Sequence, residues 1–562
     1  MCDTFAVSMK FSKIPLAQTI TQLCLAKEIK HIVICPGSRN APLTIGFSEN
    51  ENFEVFSIVD ERSAAFFALG IAQQIKHPVA VVCTSGSAVL NFYPAIAEAF
   101  YSDIPLVVIS ADRPAHFIDI GDGQTIRQEN VFANHILFSA NLKTDTDEQT
   151  YNETQVNIAL NTAIELKGPV HINVPFEEPL YEMVTDVQVR PQHVPARKVN
   201  TKLEEDLSKY IGLWNNSKKK LILVGVLDPD SIAQKWIDLL SKDASVLVLT
   251  ETTSNIHHPY FINSIDQLIA SLAPEEFKEL QPEILLTFGG MVVSKKIKSF
   301  LREYPAKRHW HVHEKRALDT YFYLEKHFKV TAQEFLSTFL PHTVSFHTSY
   351  QNFWLQVKEH SKNQHNAFLL KSDISDLKAF DIILNTLPEN SMLQLSNSAA
   401  IRYAQLFTIK QNVEVYCNRG TSGIDGSTST AVGAAFASRK RTTFITGDLS
   451  FFYDANGLWN NYIPKNFRIV LVNNNGGGIF RILPGEKDTQ NFDTFFETTH
   501  QLTAKHICAM FQMEYTFVAT LEDLNKALET FYSESESPKL IEIQTPRKDN
   551  DAVLNAYFKF LK

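Results

Sequence analysis

The residue types best suited to chemistry lie in the last third of the chain, where a carboxylate and an amide follow two strand-like runs. Asp448 ends TTFITGD (442–448), and Asn475 is the last asparagine of FRIVLVNNNG (467–476), one strand–helix–strand unit further on. Such a unit brings both residues to the same edge of a parallel sheet. With a carbonyl from the glycines at 476–478 they would supply hard oxygen ligands for Mg²⁺, and N–H groups at a helix start could hold a diphosphate. Gly- and Asn-rich turns are common, so the spacing carries this prediction.

A second candidate is the acidic pair Asp60-Glu61, which ends EVFSIVD (54–60) and opens ERSAAFFALGIAQQI. A structural explanation is available, because Asp60 can cap a helix and Glu61 lies favourably near the helix's positive end. By itself the pattern favours that explanation.

Arginines form a third set, since each of four falls just after a strand-like run. The guanidinium group is a planar fork that suits carboxylates. Any one of them could be a solvated charge or half of an ion pair. Four at ligand-binding edges favour a site for carboxylates, and they are Arg39, Arg113, Arg402 and Arg419.

The elements that position these residues are short β-branched runs alternating with helical-period segments, which is typical of parallel α/β architecture. We expect three doubly wound domains with mostly parallel central sheets at 1–185, 206–345 and 350–562, with a linker over 181–205. The basic run of Lys307, Arg308, His309 and His311 is predicted to be a solvated strand edge, with a regulatory site in the middle domain as the alternative. The strand-like runs are 31–37, 54–60, 79–86, 105–112 and 170–175, then 220–226, 245–252, 283–290 and 308–314, and finally 391–398, 414–420, 442–448, 467–476 and 538–545.

Composition limits the class of protein. A chain of 562 residues is too long for one hydrophobic core. Its 53 basic against 62 acidic residues, a net charge of −9, exclude a generally basic nucleic-acid binder and disfavour a membrane-surface protein. The six cysteines form no CxxC pair, and the sequence has neither a signal-peptide core nor an apolar run long enough to span a membrane. We therefore expect a cytoplasmic protein with reduced thiols.

The GD…NN spacing resembles the diphosphate-binding motif of thiamine-diphosphate enzymes, although Leu449 stands where that motif usually has Gly. Further segments resemble, over nearly the whole chain, the thiamine-diphosphate-dependent synthases of menaquinone biosynthesis, which share the GDLS variant. The resemblance is dense in the outer domains and thin in the middle one. The segments are PGSRNAPLT (36–44), TSGSAVLNFYPAIAEA (84–99), ISADRP (109–114), GQTIRQ (123–128), SNSAAIR (396–402) and NRGTSGIDGSTST (418–430).

This resemblance implies roles for residues of both outer domains. Glu61 would activate thiamine diphosphate by a hydrogen bond to its aminopyrimidine, and Ile424 would hold the cofactor bent. Metal ligands for Mg²⁺ or Mn²⁺ would be Asp448, Asn475 and the Gly477 carbonyl. Contacts to isochorismate are implied for Ser38, Arg39, Arg113 and Gln124, and contacts to carboxylates derived from 2-oxoglutarate for Ser398, Arg402 and Arg419, the two arginines counting also as catalytic. Lys295 and Lys296 resemble a basic pair that reaches the same pocket, with a solvated lysine run as the alternative.

The implied reaction is decarboxylation of 2-oxoglutarate and conjugate addition of the remaining unit to isochorismate, in a homodimer or homotetramer with the site between subunits. Another thiamine-diphosphate carboligase, such as an acetolactate-synthase-like enzyme, and a non-catalytic relative remain as alternatives. The absence of a GxGxxG fingerprint in 206–345 disfavours the flavin that an acetolactate-synthase-like enzyme often binds in its middle domain. An NAD-dependent oxidoreductase fits less well, because no such fingerprint follows the first strand.

Overall fold

The computed structural model describes residues 10–198, 202–482 and 485–562. Three sheets follow one another along the chain, and the strand pairings described within them are parallel. The predicted α/β class is therefore confirmed. Contacts divide the chain into two compact units, the first made of the N-terminal domain with segments 420–440 and 450–467, the second of the remaining chain.

The first sheet has the strand order β3-β2-β4-β5-β7-β6, and its central strands are buried on both faces, as expected when helices cover a parallel sheet. A separate antiparallel pair joins β1 to β8. The strands are β1 Phe11–Ser12, β2 His31–Ile34, β3 Glu54–Ser57, β4 Val79–Cys83, β5 Leu106–Asp112, β6 Phe138–Asn141, β7 Val170–Pro175 and β8 Met183–Val184. The helices are α1 Pro15–Ala26, α2 Ala41–Ser48, α3 Glu61–Ile75, α4 Ser87–Asn91, α5 Tyr93–Ser102 and α6 Gln149–Leu166.

The second sheet has the order β10-β9-β11-β12-β13. Its strands are β9 Lys220–Val224, β10 Val246–Thr250, β11 Ile284–Phe288, β12 Arg308–Val312 and β13 Leu324–Phe328. Its helices are α7 Ser208–Asn215, α8 Gln234–Ser241, α9 Ile265–Ser271, α10 Pro274–Leu280, α11 Lys295–Glu303 and α12 Ala332–Phe339.

The third sheet has the order β15-β14-β16-β17-β19-β18, which makes β16 and β17 neighbours. Its strands are β14 Ser391–Leu395, β15 Val413–Cys417, β16 Thr442–Gly447, β17 Phe467–Asn473, β18 Glu514–Val518 and β19 Lys539–Gln544. The helices of this part of the chain are α13 Tyr350–Leu370, α14 Asp376–Thr386, α15 Ala399–Ala404, α16 Ser427–Ser438, α17 Asp448–Tyr453, α18 Ile479–Ile482, α19 Lys505–Met510, α20 Leu521–Phe531 and α21 Asn550–Phe560.

Helix α16 packs against α3 in the first unit with the two backbones in contact. A Cβ on Gly433 would lie 2.1 Å from the Phe67 carbonyl oxygen, and one on Gly70 would lie 2.2 Å from that of Thr430. Only glycine fits at these two positions, and the close crossing fixes α16 on the helix that begins at Glu61.

Each predicted run contains a strand, but the sequence missed β1, β6, β8, β13 and β18, each of which is an edge strand of its sheet. Edge strands need no continuous apolar run, so they lack the pattern that marks central strands.

The described part of the predicted linker 181–205 holds only the two-residue strand β8, and it lies against the first unit, where Gln22 donates to the Val189 carbonyl and Lys27 to the Val194 carbonyl. One local prediction was wrong. The histidines of β12 are not at a solvated edge, since β11 and β13 flank that strand and both His309 and His311 are buried. None of the helices in the described ranges has the length and apolarity to cross a membrane.

Candidate active site

The predicted meeting of Asp448 with the turn after β17 occurs in the second unit. Asp448 follows β16 and begins α17, and one of its carboxylate oxygens accepts the Gly476 N–H at 2.9 Å. The other accepts the Leu449 N–H at 2.7 Å. Asn475 has a left-handed backbone, with φ 63°, at the sharp turn. Because β16 and β17 are neighbours, their carboxyl ends share one edge of the sheet.

The oxygen set at this edge fits a hard divalent cation that is also bound by phosphate. The Asp448 carboxylate has more lone pairs than its two N–H donors use, and the Gly477 carbonyl accepts the Phe480 N–H in the turn and has a second lone pair. Within the described residues no group of three His, Cys, Asp or Glu side chains could hold a metal. A cation here would therefore be bound by one carboxylate, by amide or carbonyl oxygens and by phosphate, as Mg²⁺ often is.

His500 is a neighbour of this edge that the sequence did not indicate. Its Nε2 lies 3.2 Å from an Asp448 carboxylate oxygen, and its carbonyl accepts the Asn475 side-chain N–H at 3.0 Å. The Asn475 amide oxygen accepts an N–H from the Gln544 side chain. Asn475 is thus fixed by two partners that are distant in sequence.

Glu61 is the first residue of α3, and Asp60 caps that helix by accepting the Ser63 N–H at 3.2 Å. The predicted capping role of Asp60 is confirmed. Glu61 is half-buried, and among the described residues no hydrogen bond or ion pair engages its carboxylate. The pKa of the Cys83 thiol, at the end of β4, is raised mainly by burial and further by the nearby charge of Glu61. A carboxylate with free acceptors beside a strand end fits the hydrogen bond that an aminopyrimidine requires.

Ile424 lies in a loop of the first unit that a buried glutamate holds. Glu98 on α5 accepts the N–H groups of Gly420 and Thr421, both at 2.7 Å, and the Thr421 hydroxyl at 2.9 Å. The Ile424 carbonyl accepts the Ser450 hydroxyl at 3.0 Å. Sequence reasoning missed Glu98, because nothing local relates it to a loop more than three hundred residues away.

The structure brings Arg39 and Arg113 close enough for their charges to interact. Burial lowers the pKa of Arg39, and the Arg113 charge lowers it further. Arg39 donates to the Phe176 carbonyl at 3.0 Å and to Glu178 at 3.2 Å. Arg113 lies 3.4 Å from Asp122, and its buried Nε has no hydrogen-bond partner in the described structure.

Ser38 and Gln124, the other residues implied for isochorismate, are both exposed. Ser38 precedes Arg39 and accepts the Tyr181 hydroxyl at 3.0 Å. Gln124 has a left-handed backbone, with φ 55°, in the loop that carries Asp122. In the described structure neither of them forms a hydrogen bond with Arg39 or Arg113.

Arg402 and Arg419 form a second like-charged pair, in the second unit. Burial lowers the pKa of Arg402, and the Arg419 charge is the next cause. Arg419 donates to the Asn397 side-chain oxygen at 2.6 Å, while its buried Nε lacks a partner among the described residues. Ser398 has a left-handed backbone, with φ 68°, just before α15, the helix that carries Arg402.

The two lysines at the start of α11 do not act as a pair. Lys295 is exposed, whereas the Lys296 ammonium lies 4.8 Å from the centre of the Phe558 ring. Just before them, the buried Glu251 carboxylate accepts the N–H groups of Val293 at 2.6 Å and Ser294 at 2.7 Å. Glu251 was another residue that the sequence did not reveal.

Comparison with known proteins places this geometry in a family. Residues 14–135 match the N-terminal TPP-binding domain of thiamine pyrophosphate enzymes, residues 195–395 the middle domain, and residues 398–543 the C-terminal TPP-binding domain. Thiamine pyrophosphate is another name for thiamine diphosphate.

Relatives similar over nearly the full length carry one name, 2-succinyl-5-enolpyruvyl-6-hydroxy-3-cyclohexene-1-carboxylate synthase. A protein of Flavobacterium johnsoniae is 55% identical over 98% of this chain and 100% of its own length. One of Christiangramia forsetii is 55% identical over 99% and 100%, and one of Porphyromonas gingivalis is 36% identical over 95% of both chains. The chain belongs to the 2-succinyl-5-enolpyruvyl-6-hydroxy-3-cyclohexene-1-carboxylate synthase family of thiamine pyrophosphate enzymes.

Proposed function

We propose that the protein decarboxylates 2-oxoglutarate with thiamine diphosphate and adds the remaining four-carbon unit to isochorismate. The products are CO₂ and 2-succinyl-5-enolpyruvyl-6-hydroxy-3-cyclohexene-1-carboxylate, an intermediate on the way to menaquinone. The proposal follows the name of the relatives and the pattern of charge in the two units.

One observation carries the proposal, namely two like-charged arginine pairs at strand ends. In each pair, burial lowers the pKa of one arginine, which is Arg39 in the first pair and Arg402 in the second. The other member, Arg113 or Arg419, has a buried Nε without a hydrogen-bond partner in the described structure. Gathering such charges is unfavourable unless anions complete the site. Both substrates carry two carboxylates, so the pairs Arg39–Arg113 and Arg402–Arg419 match their charge.

In this scheme the residues of the chain bind and orient the cofactor and the substrates, and they exclude water. When bound, thiamine diphosphate supplies a nucleophilic carbon for the keto group of the 2-oxo acid and an electron sink for the pair released with CO₂. Glu61 shares a proton with the aminopyrimidine nitrogen. Asp448, Asn475 and the Gly477 carbonyl would hold the Mg²⁺ or Mn²⁺ that accompanies the diphosphate, and Ile424 would support the cofactor. Arg402, Arg419 and Ser398 orient the 2-oxo acid, while Ser38, Arg39, Arg113 and Gln124 orient isochorismate.

We further propose three domains at 1–185, 206–345 and 350–562, a cytoplasmic location and a homodimer or homotetramer. The family resemblance supports a cofactor site shared by two subunits. Sedimentation velocity of the active protein tests the assembly, and an active monomer would refute it.

Product analysis with 2-oxoglutarate, isochorismate, thiamine diphosphate and Mg²⁺ tests the reaction. We expect CO₂ and the succinylated cyclohexene in equal amounts, whereas CO₂ without the adduct would favour another carboligase.

The variant Glu61→Gln should bind the cofactor but lose most turnover, because an amide cannot share the proton. The exposed Glu51→Gln is the matched control. A Glu61→Gln enzyme with a near wild-type rate would contradict the role of Glu61.

A further inference from the structure

The turn that carries two of the proposed metal ligands is held by a segment further along the chain, residues 493–500, which we call the strap. The backbone carbonyl of Glu497, in the strap, accepts the Gly477 N–H at 2.6 Å. On its other side, the Gly477 carbonyl accepts the Phe480 N–H at 3.0 Å, at the start of α18. The direction of the carbonyl proposed as a ligand therefore depends on both the strap and α18.

The strap reaches the other two proposed ligands through His500. The His500 backbone N–H donates to the Asn475 carbonyl at 3.2 Å, and the His500 carbonyl accepts the Asn475 side-chain N–H at 3.0 Å. The His500 Nε2 lies 3.2 Å from an Asp448 carboxylate oxygen. The strap thus contacts each of the three residues that would bind the cation, although no residue of the strap is itself a proposed ligand.

A buried ion pair anchors the strap. Glu497 is 0% exposed and Arg481 is 4% exposed. The Arg481 Nε donates to one Glu497 carboxylate oxygen at 2.6 Å, and a terminal nitrogen donates to the other at 2.7 Å. Arg547 lies 3.4 Å from the second oxygen, and Asp493 lies 3.4 Å from Arg481. Asp493 also lies 3.6 Å from Arg547, so two arginines and two carboxylates balance one another.

The ion pair and the backbone contact close a ring around the turn. From Gly477 the chain enters α18 and reaches Arg481, the ion pair crosses to Glu497, and the Glu497 carbonyl returns to the Gly477 N–H. A guanidinium that donates twice to one carboxylate fixes both groups in direction as well as in distance. Loss of one partner leaves the other charge buried and unpaired, and this cost is relieved by movement of the strap or of α18.

We infer that Glu497 is a positioning residue for the divalent cation of the cofactor, and that it acts by anchoring the strap to Arg481. The inference rests on the proposed metal ligands. Both Glu497 carboxylate oxygens are engaged by arginines, so this residue acts through the strap and not as a ligand. The expected consequence of removing the anchor is weaker binding of the cation, because the three ligands lose their fixed arrangement.

The test is Glu497→Gln, which keeps the shape of the side chain and removes its charge. Mn²⁺ is the probe, because the paramagnetic resonance signal of the free ion reports binding without any turnover. Each titration contains the same concentration of thiamine diphosphate, and a blank without protein corrects for Mn²⁺ bound by the free cofactor. Glu529→Gln, an exposed carboxylate of α20, is the matched control. If Glu497→Gln does not fold, Arg481→Lys replaces it, since a lysine keeps the charge but cannot donate as a fork.

We expect the Mn²⁺ affinity to fall about ten- to a hundredfold in Glu497→Gln, and kcat at saturating Mg²⁺ to fall by a smaller factor. Arg481→Met should weaken Mn²⁺ binding similarly, and the double variant should lose no more affinity than the weaker-binding single variant, because both changes break one ion pair. An unchanged Mn²⁺ affinity in Glu497→Gln, or additive losses in the double variant, would overturn the inference. A wild-type enzyme that binds no Mn²⁺ with thiamine diphosphate, or an Asp448→Asn enzyme that binds it as well as the wild type, would instead refute the proposed metal site.

Discussion

The hydrogen bonds of Glu98 allow the cost of one substitution to be worked out. The residue is 1% exposed, and each carboxylate oxygen accepts two hydrogen bonds. One oxygen binds the Gly420 N–H and the Ser102 hydroxyl, both at 2.7 Å, and the other binds the N–H and hydroxyl of Thr421. In Glu98→Gln one of the two positions becomes an NH₂ group, which cannot accept, so two donors lose their partner in either orientation.

A hydrogen bond to a charged group contributes about 1.5–3 kcal/mol, so losing two costs about 3 kcal/mol after relaxation. The loss falls on the loop 420–426, which contains Ile424. Since Ile424 is proposed to support the cofactor, thiamine diphosphate binding to Glu98→Gln has to reorder this loop. A cost of about 3 kcal/mol corresponds to a roughly hundredfold weaker affinity for thiamine diphosphate. We expect kcat at saturating cofactor to stay close to that of the wild type.

The assay is reactivation of the cofactor-free enzyme against thiamine diphosphate concentration at fixed Mg²⁺. The exposed Glu49→Gln serves as control. Ser102→Ala removes one donor without placing an amide against the others, so its effect should be smaller. A folded Glu98→Gln enzyme with cofactor affinity within twofold of the wild type would refute the reasoning.

Three further predictions concern other parts of the molecule. Gly433→Ala should lower the melting temperature by several degrees, because its Cβ would lie 2.1 Å from the Phe67 carbonyl oxygen, whereas Gly123→Ala, which meets open space, should not. Asp448→Asn should raise the Mg²⁺ concentration for half-maximal activity at least tenfold, and an unchanged Mg²⁺ titration would rule out its role as a ligand. Burial raises the pKa of Glu251 from 4.5 to about 7, so its contribution to stability is present below pH 4.5 and is lost as the pH rises through 7. That loss is about 3 kcal/mol of the free energy of unfolding. Urea unfolding at pH 5 and pH 8 should show a smaller fall in this free energy between the two pH values for Glu251→Gln than for the wild type.

Sequence reasoning succeeded where local pattern and topology suffice. A buried parallel strand must be apolar on both faces, so β4 and β5 could be predicted, and the edge strand β18 could not. The meeting of Asp448 with the turn at Asn475 followed from one strand–helix–strand unit. The start of α11 was harder. The letters KK identify Lys295 and Lys296, but only the packing of Phe558 shows where Lys296 is directed.

The residues that sequence reasoning missed share one physical role. Glu98 and Glu251 are buried, and each gives both carboxylate oxygens to consecutive backbone N–H groups of a loop distant in sequence. A carboxylate that accepts backbone N–H groups can fix a loop of any sequence. No motif in the loop therefore identifies the carboxylate that holds it. The arrangement also separates positioning from chemistry. Because Glu98 and Glu251 hold the loops, the loops do not depend on the charged groups of the site, and in the described structure the Glu61 carboxylate and the Arg419 Nε have no hydrogen-bond partner. Groups left unpaired in this way are available to a cofactor and to anionic substrates, and the cost of leaving them so is offset by hydrogen bonds elsewhere in the fold.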